Sequence, residues 1–151
     1  MIADLHFGDS RTCRSRSFHG PQDMERVISR CWNETVQPED TVFVLGDIGK
    51  QSEYGKIGHL NGAKHLIAGN TDDLYAIAAA GLFDSISIAR WLPGYLLTHI
   101  PVHPSQLKGK TINVHGHLHS ANVGDARYRC VSVEQTGYAP VPLAHMCAGL
   151  M

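Results

Sequence analysis

The sequence has no C-x-x-C pair. Its four cysteines stand apart at positions 13, 31, 130 and 147 of 151 residues, which argues against a thiolate zinc site and against a disulfide framework. It has no charge excess either. Lys and Arg number 13 against 14 Asp and Glu, a formal net charge of -1, so nothing electrostatic points to a nucleic-acid or membrane partner. No apolar run approaches a membrane span and no signal peptide is visible. The chain is therefore expected to be cytoplasmic, with reduced thiols. What remains is an ordinary globular composition at a length that suits one domain with a real core. Residues 1–151 are read as that single domain.

Histidine is the outlier, with ten in the chain. Three of them alternate in Val114-His115-Gly116-His117-Leu118-His119. The short apolar run 111–114 reads as a strand, and it ends in a Gly-punctuated turn. Imidazoles at this density are poor core material, and neutral imidazole is the commonest protein metal ligand. The stretch reads either as a metal site or as a polar turn, and partners elsewhere have to decide.

In chain order, Met1-Ile2-Ala3 makes a very short first strand leading into Asp4-Leu5-His6. Asp-x-His is a ligand spacing just past a strand, because residues two apart there face one side. Residues 8–20 are polar and read as a loop. Arg11, Arg14 and Arg16 lie close together in it, as a solvated basic loop or as a phosphate clamp suited to guanidinium geometry. Residues 21–36 are the clearest helix: Met24, Val27, Ile28, Cys31, Trp32 and Val36 share one face, with Pro21 at a favoured first position. Residues 41–45 form a buried strand followed at once by Gly46-Asp47, and acidic residues at such strand ends are where open α/β sheets put their chemistry. A weaker helix is expected over 51–61. A strand over 63–68 ends in Gly69-Asn70-Thr71-Asp72, and a helix follows over 71–80, stopped by Gly81. Strands are then expected over 83–89, 95–98, 111–114 and 129–133, with His99 at one end beside Pro101 and an extended tail over 138–143. Alternating β and α followed by mostly β suggests two packed sheets with helices outside. The polar strand ends are Asp4/His6, Asp47, Asn70, His99 and His117/His119, all oxygen or nitrogen donors, about the set that two neighbouring metal ions sharing a carboxylate require.

These residues resemble the calcineurin-like metallophosphoesterase superfamily, whose pattern is D-x-H, G-D, G-N-H-D/E, H and G-H-x-H in that order. Here they stand as Asp4-Leu5-His6, Gly46-Asp47, Gly69-Asn70-Thr71-Asp72, His99 and Gly116-His117-Leu118-His119. The similarity is to a small bacterial and phage branch, through Asp4-Leu5-His6-Phe7-Gly8, Met24 with Trp32-Asn33, Leu45-Gly46-Asp47, and Val133-Glu134 followed by Pro140-Val141. The resemblance implies a four-layer α/β/β/α sandwich, here with a shortened first strand. It implies two divalent ions bridged by Asp47, one on Asp4, His6 and His119, the other on Asn70, His99 and His117. A metal-bridging hydroxide would attack a phosphoester. Carboxylate, amide and imidazole donors suit Mn²⁺, with Fe, Co, Ni or Zn as alternatives. The expected activity is hydrolysis of a small-molecule phosphomonoester or phosphodiester, with Asp47, Asn70 and His103 as catalytic candidates and Arg11, Arg14 and Arg16 on the substrate.

One departure bears on mechanism. The family's usual leaving-group acid, the His after Asn, is Thr71 here. His103, His59 or water is left to take its place, or nothing does. His115 is expected to support the ligands or pack, His65 to be structural, and His19 and His145 to lie at the surface. Two other functions compete. One is a binding scaffold on the same fold, which Thr71 favours and the full ligand set opposes. The other is a metal-dependent nuclease, supported only by the Arg11–Arg16 segment. Oligomeric state is not legible.

Overall fold

Hydrogen bonding divides the strands between two sheets. The computed structural model describes residues 1–147. In the first sheet β1 (Thr41–Val44), β2 (Ala63–Ile67) and β3 (Ser85–Ser87) run parallel in that order. In the second, β4 (Ala89–Leu92) pairs antiparallel with β5 (Tyr95–Thr98), which continues in parallel to β6 (Ile112–His115) and β7 (Tyr128–Cys130). Neighbours on a strand point to opposite faces. Val42 and Val44 therefore enter one core, while Phe43 packs with Ile67, Tyr95, Leu97, Ile112 and Val114 in another that both sheets share.

Five helices supply the first core: α1 (Ser10–Ser15), α2 (Pro21–Thr35), α3 (Tyr54–Ile57), α4 (Leu74–Ala80) and α5 (Val133–Thr136). On α2, Met24, Ile28 and Trp32 recur every fourth residue and are fully buried, the stripe expected of a helix laid on a sheet. The Trp32 indole donates to Asn61 O at 2.9 Å, so its one polar atom is satisfied. The outer face of the second sheet carries a small cluster, Leu96, Leu107 and Tyr128, packed against Val102. Segment 102–107, with one 3-10 turn at Pro104–Gln106, lies where the expected sandwich has α-helices.

Residues Ile2 and Ala3 join the sheets. Ile2 bridges to Val44 and Ala3 to Ser132. Leu45 N donates to Ile2 O at 2.8 Å and Val133 N to Ala3 O at 3.1 Å. The short first strand is thus a pair of single bridges, one to Val44 at the end of β1 and one to Ser132 just beyond β7.

Several local expectations are corrected. The loop expected over 8–20 contains α1, started by the Asp9 side chain, which accepts from Arg11 N and Thr12 Oγ1. With only Cys13 buried, this helix leaves almost no apolar signal. The helix expected over 51–61 is a 3-10 turn, Gln51–Glu53, followed by α3. The helix expected from 71 begins at Leu74, because the Asp73 carboxylate caps Ala76 N. The run 83–89 is split between the sheets, with Ile88 between β3 and β4 left 80% exposed. The strand expected over 129–133 stops at Cys130, and α5 starts at Val133. The tail 138–143 runs only as far as a 3-10 turn, Leu143–Cys147. Among the described residues no helix is long and apolar enough to cross a membrane.

Trp32 is the largest fully buried side chain among the described residues. Trp32→Ala is expected to lower stability by about 3–5 kcal/mol, the cost of such a cavity, measured by urea unfolding. A loss below about 1 kcal/mol would show that α2 does not pack as described.

Candidate metal centre

The parallel strands all finish on one side, and the loops leaving them carry the polar residues. Asp47 follows β1, Asn70 follows β2, His99 follows β5 and His117 follows β6, while Asp4 and His6 follow the two bridging residues. The result is two groups that can hold a metal ion: Asp4, His6 and His119, and Asp47, His99 and His117. In each, the donor atoms lie within 4.8 Å of one another.

In the first group, Asp4 is fully buried. Its Oδ2 accepts from Ser132 Oγ at 2.6 Å and from His117 N at 2.9 Å. Its Oδ1 has no hydrogen-bond partner, and neither has His6 Nε2, 3.9 Å away. Buried polar atoms without partners cost about 1–3 kcal/mol each, so two facing orphans call for a cation between them. Burial holds the His6 pKa below its ordinary value despite Asp47 and Asp4 nearby, favouring the neutral ring that ligates metals. His119 stacks on His6 with centroids 5.2 Å apart, and its Nδ1 meets Glu134 Oε1 at 2.7 Å. The hydrogen bond to Glu134 outweighs burial and raises the His119 pKa.

In the second group, His99 Nδ1 is 2.7 Å from Leu45 O. A carbonyl only accepts, so Nδ1 carries the hydrogen, and in the neutral ring the Nε2 lone pair is left facing inward. That atom sits 2.9 Å from Asn70 Oδ1 and 3.5 Å from Asp47 Oδ2. Asp47 Oδ2 is also 3.6 Å from His6 Nε2, so one carboxylate oxygen stands between the groups. Burial alone would raise the Asp47 pKa. The His99 ring and the Thr71 hydrogen bonds outweigh it and hold the carboxyl well below the usual range. Asp72, not among the candidates, ties this loop down: its carboxylate accepts from Asp47 N at 3.0 Å, Ile48 N at 2.9 Å and Gly69 N at 2.8 Å.

The backbone is strained where the donors are. Asp4, His6, Asp47, His117 and His119 have φ between 50° and 67°, left-handed conformations that Asp and His tolerate better than other side chains. Two glycines let the loops close. A Cβ on Gly46 (φ 85°) would lie 2.6 Å from His99 Nδ1, and one on Gly116 would lie 2.7 Å from Asp4 Oδ2.

The other candidates are placed differently. The Arg16 side chain is 1% exposed and held by Glu134, at the wall of the cleft that Arg11 also lines. Internal acceptors, Glu134 Oε1, Leu5 O and Asp4 O, engage its nitrogens. Arg11 lines a cleft of about 770 Å³ that His119, Glu134 and Ser120 also line. Arg14 is exposed on the last turn of α1. His103 is exposed, and its Nδ1 accepts from Ser105 N at the start of the Pro104–Gln106 turn, a capping role outside both groups. Thr71 lines a cleft of about 340 Å³ with His6, Lys50 and Tyr54. A third cleft, of about 480 Å³, has Leu74, Ile88, Ile100 and Val102 beside Asn70 and His99. His115 is buried against Gly116 O and Tyr128. His65 bonds Ser85 and stacks on Phe43. His19 and His145 are exposed. Glu134, which the sequence marks only as part of the Val133-Glu134 feature and without a role, bonds both His119 and Arg16.

No family model matches the chain. The chain is similar to the gene 66 protein of Mycobacterium phage D29, 37% identical over 78 residues, a stretch that spans 48% of this chain and only 39% of that protein. It is similar to the gene 66 protein of Mycobacterium phage L5, 29% identical over 159 residues, covering 80% of this chain and 76% of that protein. An uncharacterised protein of Methanocaldococcus jannaschii is 26% identical over 157 residues, 95% of this chain and 85% of its own. The crystal structure of a protein of unknown function from Aquifex aeolicus superposes with a TM-score of 0.68 at 25% identity, covering 93% of this chain and 92% of that one. This supports the α/β fold over nearly its whole length.

Asp72→Ala strands three backbone donors at once. It is expected to cost about 3 kcal/mol in urea unfolding, the lower part of the range for three such groups. An unchanged midpoint would mean that the Asp47 loop is held some other way.

Proposed function

We propose that the chain is a dinuclear metal-dependent phosphoesterase of the calcineurin-like type. One observation carries the reading: Asp47 Oδ2 lies 3.6 Å from His6 Nε2 and 3.5 Å from His99 Nε2, the position of a carboxylate shared by two cations. The orphaned Asp4 Oδ1 and His6 Nε2 support it. Asp4, His6 and His119 would hold one divalent ion. Asn70, His99 and His117 would hold the other, with Asp47 common to both. The donor set suits Mn²⁺, with Fe, Co, Ni or Zn as alternatives. Bound there, such ions supply a nucleophilic water at neutral pH and offset phosphate charge. The fold would be the four-layer sandwich, its outer layer on the second sheet reduced to segment 102–107.

The chain's own residues do the rest. Burial favours a neutral His6 ring, and Leu45 O fixes a hydrogen on His99 Nδ1, so that Nε2 is the His99 atom that would meet an ion. Asp47 stays ionised because Thr71 N and the His99 ring hold its charged form. The clefts beside His119, His6 and His99 leave room for a small organic ester. No imidazole stands where the family has its acid: the position is Thr71, and His103 caps a turn. A catalytically weak protein that uses the same fold as a binding scaffold is the second reading, and Thr71 in place of the usual acid is what favours it. Hydrolysis of p-nitrophenyl esters with Mn²⁺ separates the two.

Asp47→Asn is expected to lose at least one ion by elemental analysis and to reduce Mn²⁺-supported hydrolysis of p-nitrophenyl phosphates to background, with the circular dichroism spectrum unchanged. Wild-type turnover in this variant would refute the shared-carboxylate assignment.

With no acid, kcat/KM is expected to fall steeply as the leaving-group pKa rises across aryl and alkyl phosphoesters. Thr71→His should help the poor leaving groups most, by up to about 10²–10⁴, the usual worth of general-acid catalysis. A shallow wild-type dependence that steepens in His103→Ala would instead assign the proton to His103.

A further inference from the structure

We propose that Glu134 and Arg16 are positioning residues that fix His119 as its Nδ1–H tautomer and hold the Asp4 backbone, so that the first His/Asp group depends on α5. The metal part of this inference rests on the proposed function; the tautomer part does not.

Glu134 Oε1 is 2.7 Å from His119 Nδ1 and 2.7 Å from Arg16 Nε. A carboxylate facing a guanidinium offers only acceptor atoms, so the hydrogen of that bond sits on His119 Nδ1. In the neutral ring, Nε2 then keeps the lone pair that a cation shared with Asp4 and His6 would take. Carboxylate–histidine pairs of this kind orient metal ligands and raise their basicity. Arg16 extends the chain of contacts. One terminal nitrogen donates to Asp4 O at 2.7 Å, and the other is 3.3 Å from Leu5 O. Asp4 is one of the left-handed residues, with φ 60°, and Arg16 holds the carbonyl that this conformation presents. Ser132, the residue before α5, donates to Asp4 Oδ2 at 2.6 Å. Residues 132–134 therefore touch the first group through Ser132, through Glu134 to His119, and through Glu134 and Arg16 to the Asp4 carbonyl.

The second group is braced differently: the Asp72 carboxylate holds the backbone of the Asp47 loop and not a histidine ring. His99 Nδ1 meets a neutral carbonyl, Leu45 O. Loss of the Glu134 charge should therefore weaken one metal site and spare the other.

The test uses the whole chain. In metal-free protein at a pH where the ring is neutral, long-range ¹H–¹⁵N NMR should show His119 as Nδ1–H in the wild type and mainly as Nε2–H in Glu134→Met. Glu134→Gln keeps an acceptor but removes the charge. It should keep the tautomer while weakening one step of a calorimetric Mn²⁺ titration by about 10–100-fold, the other step unchanged. A wild-type His119 that is mainly Nε2–H overturns the proposal, as does a tautomer unmoved in Glu134→Met. So does a Glu134→Gln titration with both steps unchanged or equally weakened. If Glu134→Met does not fold, the wild-type tautomer and Glu134→Gln decide. If the wild type binds no Mn²⁺, the dinuclear reading fails and the tautomer alone decides this one.

Discussion

The cluster depends on a backbone that turns left-handed at five of its six His and Asp donors. Each such residue costs on the order of 1–3 kcal/mol and persists only where its surroundings over-determine it. Here they do. Asp4 N and His6 N donate to Gly46 O and Asp47 O at 3.0 Å, so the two strained loops brace one another. The Asp72 carboxylate then fastens the Asp47 loop to Gly69 by accepting from three backbone N–H groups. The glycines at 46 and 116 let these loops approach closer than any Cβ would permit. Strain concentrated on donor residues, with orphaned buried atoms at its centre, is the reverse of what stability alone would select.

The two sheets meet over a shared core, which Met1 and Met146 also enter. Ile2 and Ala3 bridge the sheets, and α5 follows directly from the residue that Ala3 pairs with. The position of Asp4 is thereby tied to both sheets, and the position of His119 to α5. The surrounding clefts differ in character: Arg11, Ser15 and Ser120 on the His119 side, Leu74, Ile88 and Ile100 on the His99 side. A ligand spanning the cluster would meet a polar wall and an apolar one.

Much of the site was legible because its donors sit at short spacings directly after β-rich runs, as in Asp4-Leu5-His6 and Gly116-His117-Leu118-His119. The backbone strain was not, since nothing in the local pattern of Asp and His specifies a positive φ. Arg11, Arg14 and Arg16 look alike in sequence, and only tertiary placement buries Arg16 against Glu134. Glu134 itself stands in an ordinary Val-Glu-Gln-Thr stretch, 15 residues from the His119 it bonds. The helix over Ser10–Ser15 escaped because its signal is a cap and not an apolar stripe. The split of 83–89 escaped because a continuous β-rich run does not say where a chain changes sheets.

The central claim is that one carboxylate, Asp47, serves two cations. Anomalous diffraction from crystals of the chain grown with Mn²⁺ tests it most directly. The account predicts two manganese peaks, one on each His/Asp group, with Asp47 between them. A single peak, or none at a Mn²⁺ concentration that saturates binding in solution, would contradict it.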